Sequence, residues 1–161
     1  MRDYSFKYIY NIKGNKLIEH EHVIFISNFF IKKLGESGHY YIDRTFVFPR
    51  GFKQMLIILT KDRLTNKRYP CCFGLINNKT ETGYNEFFKS FKNIITIENT
   101  KNIKLSSYTT IFEQALIIAL KSVFPKVKAI GCIYHFTRNI KEKLKDLDLN
   151  KKELNKEIKN Y

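Results

Sequence analysis

The chain of 161 residues contains 29 Lys and Arg against 15 Asp and Glu, which gives a formal net charge of +14 at pH 7. A chain of this length usually forms one domain and buries roughly 70% of the surface that its unfolded form exposes, so it needs no disulfide or metal to fold. Its 43% hydrophobic and 15% aromatic residues exclude disorder along the whole chain, and its uncharged apolar runs, such as Met55–Thr60, are far shorter than the roughly 20 residues of a membrane span.

The start of the chain and its cysteines favour a reducing compartment. The first twenty residues carry charges throughout and lack the apolar core of a secretory signal. Three cysteines, two of them adjacent at Cys71 and Cys72, form no disulfide framework. We therefore expect a nuclear or cytoplasmic protein that is not secreted and has no membrane partner.

The excess of positive charge has two explanations. Lys and Arg near phosphates release condensed counterions, so the charge favours a polyanionic partner such as nucleic acid. The sequence is also rich in Lys, Asn, Ile, Tyr and Phe, as AT-rich coding would give. Charge alone leaves both explanations open.

The first half of the chain predicts mostly strands. Residues 1–21 form a leading β segment with a turn at Lys13-Gly14-Asn15, and a buried strand follows at 22–27. Asn28 offers a cap for a short helix that Gly35 ends. Three strands rich in aromatic and β-branched residues then follow one another through short connections, which predicts an antiparallel meander at 39–48, 53–60 and 68–76.

The second half alternates helices with strands. Apolar spacing predicts a helix capped by Thr80 or Thr82 and running through Lys92, a helix at about 111–123, and a helix at 134–147. Short strands are predicted at about 103–105 and at 127–133, and residues 149–161 form a charged C-terminal helix or tail. The order predicts an α+β domain over residues 22–148, and three antiparallel strands followed by alternating helices and strands is the chain order of the ribonuclease-H-like mixed sheet.

Asp43 is embedded in the first strand of the meander, in the run Tyr41-Ile42-Asp43-Arg44. An acid inside a strand loses hydration and has poor β-propensity, so it usually has a partner. Arg44 points to the opposite face and cannot be that partner. A nuclease carboxylate in this place and a solvent-facing acid on an edge strand both remain open, and the former predicts a central strand with Asp43 close to residue 111.

Several separated blocks together are specific to one family. They cover about residues 22–145 in order, and they are His39-Tyr-Tyr-Ile-Asp-Arg-Thr-Phe46, Pro70 with Asn77-Asn-Lys-Thr80 and Tyr84, Phe112-Glu-Gln-Ala115, Val123-Phe-Pro125, and Gly131-Cys-Ile-Tyr-His-Phe136. This pattern resembles the Mutator-like element (MULE) transposase domain of the DDE transposase superfamily. The resemblance implies a transposable-element enzyme that cuts and joins DNA with two Mg²⁺ or Mn²⁺ ions held by two Asp and one Glu, because hard cations take oxygen ligands.

The resemblance assigns these acids unevenly. Asp43 matches the first Asp, as a catalytic residue and metal ligand. The place of the second Asp is held by Ile111, which cannot ligate a cation; Glu113 lies two residues on, where a helical position turns by roughly 200°. The third acid belongs to a later helix, and Glu142, Glu153 and Glu157 have no context that matches it.

The C-terminal third offers candidates for nucleic-acid contact. Cys132 and His135 match the Cys-x-x-His block of the family, but they supply only two of the four ligands of a structural zinc site, so buried structural residues and a nucleic-acid or metal contact are both open. Arg138, Lys141 and Lys145 could bind phosphates, whereas a solvated helix face is the alternative.

Three hypotheses of function follow. We prefer a degenerate, catalytically inactive MULE transposase domain that retains DNA binding, either to non-specific duplex or to transposon ends, and that needs no metal. The first alternative is an active nuclease or strand-transferase that uses Mg²⁺ or Mn²⁺ with Glu113 as a substitute acid. The second is a domesticated DNA-binding or interaction module, and a homo-oligomer is a further partner to test.

Overall fold

A computed structural model describes residues 6–10, 22–45, 52–62, 65–98 and 103–146. Seven strands lie in these ranges: β1 (Phe6–Tyr10), β2 (His22–Ser27), β3 (His39–Thr45), β4 (Gln54–Lys61), β5 (Arg68–Ile76), β6 (Ser107–Thr110) and β7 (Lys128–Gly131). Four helices accompany them: α1 (Asn28–Glu36), α2 (Glu81–Glu98), α3 (Gln114–Val123) and α4 (Ile133–Asp146). The predicted order of strands and helices is therefore confirmed, and the class is mixed α and β.

All seven strands form one mixed sheet in the order β1-β2-β5-β4-β3-β6-β7. The first five strands in this order, β1, β2, β5, β4 and β3, pair with their neighbours antiparallel. The remaining two pairs, β3 with β6 and β6 with β7, are parallel. The predicted antiparallel meander of β3, β4 and β5 is confirmed, with β4 in its middle. β3 joins the antiparallel and parallel halves, and it is a central strand.

Helices α1, α2 and α3 cover one face of the sheet. Side chains alternate along each strand, so Tyr40 and Ile42 of β3 point into this layer. The ring of Tyr40 packs edge to face against the ring of Phe91 of α2, with centroids 6.2 Å apart. The core is dominated by fully buried aromatic and branched side chains: Ile24, Ile26, Ile31, Leu34, Leu56, Ile58, Tyr84, Phe87, Phe88, Ile95, Tyr108, Leu116 and Leu120. The opposite face carries Asp43.

Several predicted boundaries are wrong for local reasons. The cap of α1 is Ser27, whose Oγ accepts from the Phe30 amide, and the helix continues through the buried Gly35 to Glu36. Thr80 caps α2, since its Oγ accepts from the Gly83 amide, but α2 runs to Glu98 rather than ending at Lys92.

The short strand and helix of the second half also start later than predicted. The strand predicted at 103–105 is β6, at 107–110, where the backbone can pair with β3. The helix predicted from Ile111 begins at Gln114, because Glu113 has an extended backbone (φ −110°, ψ 118°). The predicted turn at 13–15 and the predicted helix or tail at 149–161 lie outside the described residues, whereas β1 of the leading segment is a strand.

Across the described ranges, no helix is long and apolar enough to cross a membrane. The sheet places Asp43 on a central strand, on the face away from α1, α2 and α3.

Candidate functional site

Asp43 lies toward the end of β3, the strand between β4 and β6. Its neighbour Ile42 stands opposite Thr110, the last residue of β6, so the segment that follows β6 passes beside Asp43. The Asp43 side chain is 51% exposed. The prediction of a central strand is confirmed, and an edge-strand position is excluded.

The contacts of Asp43 involve two different residues. Its Oδ1 accepts a hydrogen bond of 2.8 Å from the backbone N–H of Arg44. The same oxygen lies 3.7 Å from Nε2 of His135, which lies in the first turn of the exposed helix α4. The Arg44 side chain points to the other face, as strand alternation predicts. The partner of the embedded acid is therefore a histidine from the Cys-x-x-His block.

A cavity of about 150 Å³ opens beside Asp43. Its lining residues come from four strands, β3 to β6, from the segment after β6, and from the junction of β7 with α4: Tyr41, Ile42, Asp43, Leu59, Arg68, Thr109, Ile111, Cys132 and His135. Asp43 and Ile111 thus face one cavity, as the resemblance implies for the first and second acid places. Ile111 is only 3% exposed, so its side chain fills space at the wall of the cavity.

Glu113 has a different environment. Its Oε2 lies 2.8 Å from Nη1 of Arg44, and its Oε1 accepts a hydrogen bond of 2.8 Å from the Tyr84 hydroxyl. The Tyr84 hydroxyl in turn accepts from the Gln54 side-chain amide, which is fully buried. Burial raises the pKa of Tyr84. Because Arg44 and Tyr84 lie on the α2 side of the sheet, the Glu113 carboxylate is held on the face opposite Asp43.

This arrangement corrects one step of the sequence argument. Ile111 and Glu113 were expected on a helix, where two residues turn by roughly 200°, but both precede α3. The direction of Glu113 is set instead by its ion pair with Arg44.

The oxygen ligands beside Asp43 do not fit a pair of hard cations. Two metal ions in a phosphoryl-transfer site need several carboxylates around them. Among the described residues that line the cavity, Asp43 is the only carboxylate, and Ile111 brings no oxygen to the second place. No group of three or more His, Cys, Asp or Glu side chains suited to a metal ion occurs in the described ranges.

Cys132 and His135 lie where the chain leaves β7 and enters α4. Both line the cavity and are partly buried. They are therefore wall residues of the Asp43 cavity, and His135 is the one that contacts Asp43.

The basic candidates of α4 are exposed on its surface. Arg138 forms a 2.7 Å ion pair with Glu142, one helical turn away. Lys141 and Lys145 are exposed. Glu142, one of the acids considered for the third place, is thus engaged with Arg138, and Glu153 and Glu157 fall outside the described residues.

The sequence argument missed a set of polar and basic residues on the Asp43 face. The guanidinium of Arg68 lies 4.1 Å from the centre of the Tyr41 ring. His39 hydrogen-bonds to Ser107 at 2.7 Å and to Thr109 at 2.9 Å, and burial, followed by the charge of Arg68, lowers its pKa. Strand alternation places His39, Tyr41 and Asp43 on one face and could have indicated the β3 members. The approach of Arg68 from β5 and of Ser107 and Thr109 from β6 could not be known from local patterns.

The family comparison covers most of this sheet. The family model of the MULE transposase domain matches residues 39–139, from the first residue of β3 into α4. β2 and α1 precede the match, although they pack on the same sheet and core. Searches of curated proteins and of solved structures found no match to the chain.

Proposed function

The chain belongs to the MULE transposase domain family, and we propose that it is a degenerate member, which binds duplex DNA but does not cut or join it. The observation that carries this proposal is the occupant of the second acid place. Ile111 stands at the wall of the cavity that holds Asp43, and Glu113 is paired with Arg44 on the other face.

We also propose that the domain has the ribonuclease-H-like fold. The sheet supports this, since three consecutive antiparallel strands are followed by parallel strands β6 and β7 with intervening helices. β3, the first of these three antiparallel strands, carries Asp43 at the place where a nuclease of this fold has its first carboxylate. Residues 22–148 would then form the domain, with β2 and α1 as an extension at its start.

Catalytic silence follows from the ligands. Two-metal chemistry stabilises the attacking and the leaving oxygens with ions about 4 Å apart. Asp43 alone would leave Mg²⁺ bound mostly to water, because Mg²⁺ dehydrates reluctantly. The described residues around Asp43 do not fit the pair of ions, so no catalytic step is assigned to them.

Cleavage of, and strand transfer into, supercoiled plasmid with Mg²⁺ or Mn²⁺ tests this proposal. We would compare the unmodified chain with Asp43→Ala and Ile111→Asp and expect no product from the first two. Activity of the unmodified chain that disappears in Asp43→Ala would contradict silence and favour the active alternative with substitute acids. Activity only in Ile111→Asp would support the assignment of the second acid place, whereas silence of all three would point to the third acid, to which no described residue is assigned.

For DNA binding, we propose the face that carries Asp43. Two exposed basic residues support it, Arg68 of β5 and Lys128 of β7, which lie on opposite sides of β3 in the sheet. Arg138, Lys141 and Lys145 of α4 extend the positive charge beyond β7. A duplex that contacts these residues would be held mainly through its phosphates, so little sequence preference is expected.

Gel mobility of a labelled duplex in EDTA measures this binding apart from catalysis. We expect Arg68→Glu and Lys128→Glu each to weaken DNA binding several-fold. Each should also flatten the plot of log binding constant against log salt concentration, whose slope is about −0.9 per phosphate contact. Lys89→Glu is the matched control, because Lys89 is exposed on α2, on the other side of the sheet. Equal effects of all three variants would indicate that only net charge matters, and an affinity independent of salt would contradict phosphate binding.

A domesticated interaction module remains the second candidate. The exposed apolar residues of α4 favour it, since none of the residues of that helix is buried.

A further inference from the structure

Four basic residues lie in one row across the sheet, on the face opposite α1, α2 and α3. The strand registers place Lys128 of β7 beside Ser107 of β6, and Ser107 beside His39 of β3. The antiparallel register of β3 and β4 continues this line from His39 to Lys61, and Lys61 is paired with Arg68 of β5. The line crosses five neighbouring strands, so it is about 19 Å long at about 4.8 Å per strand. We call its basic members the basic row: His39, Lys61, Arg68 and Lys128.

The charges around the basic row are mostly positive. Lys61, Arg68 and Lys128 are exposed, and within the described ranges none of them forms an ion pair. Asp43 is the only acid in the seven strands, and at about 3.3 Å per residue it lies about 13 Å along β3 from the row. Asp62 follows β4 but pairs with a lysine of α1. These uncompensated cations favour a ligand that carries phosphate groups.

His39 differs from the other members of the basic row because both of its ring nitrogens have hydroxyl partners. Nδ1 lies 2.7 Å from Oγ of Ser107, and Nε2 lies 2.9 Å from Oγ1 of Thr109. A neutral imidazole has one acceptor nitrogen, so it takes up the hydrogen of one of these hydroxyls. An imidazolium donates at both nitrogens, so both hydroxyls accept and both of their hydrogens are available to a ligand. Protonation of His39 therefore adds one positive charge and one hydroxyl donor at this place.

The groups that face His39 are positive or neutral. They are Lys61 from β4, Arg68 from β5, Lys128 from β7 and the phenol of Tyr41, whose ring lies 4.5 Å from the imidazole and 4.1 Å from the guanidinium carbon of Arg68. Burial, followed by the charge of Arg68, lowers the pKa of His39, so the imidazole is neutral at pH 7.5 in the free protein. A phosphate bound at Arg68 would offset this charge and raise the pKa of His39. Binding that raises a pKa takes up a proton, so the affinity should increase as pH falls.

We propose that His39, Ser107 and Thr109 form a phosphate site in the basic row that binds duplex DNA more tightly when His39 is protonated. The ligand is a phosphodiester oxygen, which accepts the hydroxyl hydrogens and neutralises the neighbouring cations. The inference rests on the DNA-binding face proposed above, and it adds regulation by pH to that face.

Fluorescence anisotropy of a duplex that carries a pH-insensitive dye tests the proposal on the full chain, in EDTA and at fixed salt. We expect the unmodified chain to bind about five-fold more tightly at about pH 5 than at about pH 7.5. His39→Gln keeps a donor and an acceptor for the two hydroxyls but cannot be protonated, so its gain should fall to about two-fold or less. Ser107→Ala/Thr109→Val should also reduce the gain. Ser106→Ala is the matched control and should keep it, because the Ser106 hydroxyl donates to the Gly38 carbonyl instead.

An NMR titration of the His39 imidazole gives a second measurement that needs no variant to fold. The signal can be assigned by its through-space contacts with the Tyr41 ring. We expect it to titrate below pH 6.5 in the free chain and at higher pH when duplex is bound.

Three results would overturn the proposal. If the duplex binds but His39→Gln has the same pH dependence as the unmodified chain, the role of His39 fails while the DNA-binding face stands. If the duplex binds at neither pH, the DNA-binding face fails and this inference fails with it. If inorganic phosphate alone raises the titration of His39 as much as the duplex does, the site binds free phosphate and not a DNA backbone.

Discussion

Removal of the Glu113 carboxylate should destabilise the protein far more than removal of an exposed acid. Glu113 connects Arg44 of β3 with Tyr84 of α2, and the side chains of Arg44 and Glu113 are only 28% and 18% exposed. An exposed ion pair contributes about 0–1 kcal/mol to the free energy of unfolding, whereas removing one partner of a fully buried pair costs about 3–5 kcal/mol. The Arg44–Glu113 pair is partly buried, so its contribution should fall between these values. We expect Glu113→Ala to cost about 2–3 kcal/mol.

Thermal and urea unfolding measure this cost. For a domain of this size a loss of 1 kcal/mol lowers Tm by about 2–4 °C, so Glu113→Ala should lower it by roughly 5–10 °C. Glu113→Gln keeps an acceptor for Tyr84 and should cost less. Glu142→Ala is the matched control, since it breaks the exposed Arg138–Glu142 pair, and it should leave Tm unchanged within error.

A double-mutant cycle separates the ion pair from the rest of the network. Arg44→Ala alone should also destabilise, and the double variant should cost clearly less than the sum of the two single variants. If Glu113→Ala matches Glu142→Ala, or if the two single costs simply add, the pair does not hold Glu113 on the α2 face, and the argument against its use beside Asp43 fails.

Two further predictions concern the core and pH. Gly74→Ala should lower the free energy of unfolding in urea by about 1–3 kcal/mol, because the added Cβ would stand 2.1 Å from the buried ring of Phe87. Gly38→Ala is the control and should be nearly neutral, since the nearest atom to its added Cβ is 3.6 Å away. Equal effects of the two variants would show that the sheet and α2 can separate freely. Burial lowers the pKa of His22 below 6.5, against the opposing effect of the Glu86 charge, so the unfolded chain binds the proton more readily than the folded chain. Stability that is present above pH 6.5 should therefore be lost as pH falls through the folded-state pKa. His22→Leu should flatten the dependence of the free energy of unfolding on pH, and an unchanged dependence would exclude His22 as its source.

The strands and the place of Asp43 were predictable because they depend on local patterns. Alternation over 39–45 fixes which side chains share a face, and short connections favour antiparallel neighbours. Asp43 on a central strand followed from that pattern together with the resemblance. The start of α3 was not predictable in this way, since apolar spacing continues back to Ile111 while the backbone of Glu113 is extended.

The direction of Glu113 depends on contacts that no local pattern contains. Arg44 is 69 residues away from Glu113 in the chain, and Tyr84 belongs to a third element. The apolar spacing in the sequence of α4 likewise gives no information about what contacts this helix. It predicted a helix at 134–147, close to the observed α4 at Ile133–Asp146, but apolar spacing does not report what packs against a helix.

The residue at 111 also bears on why a degenerate domain can remain folded. Two carboxylates facing one cavity repel each other unless cations or protons neutralise them. Ile111 removes that repulsion, and at 3% exposure it adds apolar burial, which for a complete Ile side chain is about 1.5–3 kcal/mol. Asp43, the only carboxylate among the described residues that line the cavity, is half-exposed and has His135 nearby, so water and an imidazole can solvate it. On our proposal, the same substitution that removes a catalytic ligand makes the folded state independent of the cation.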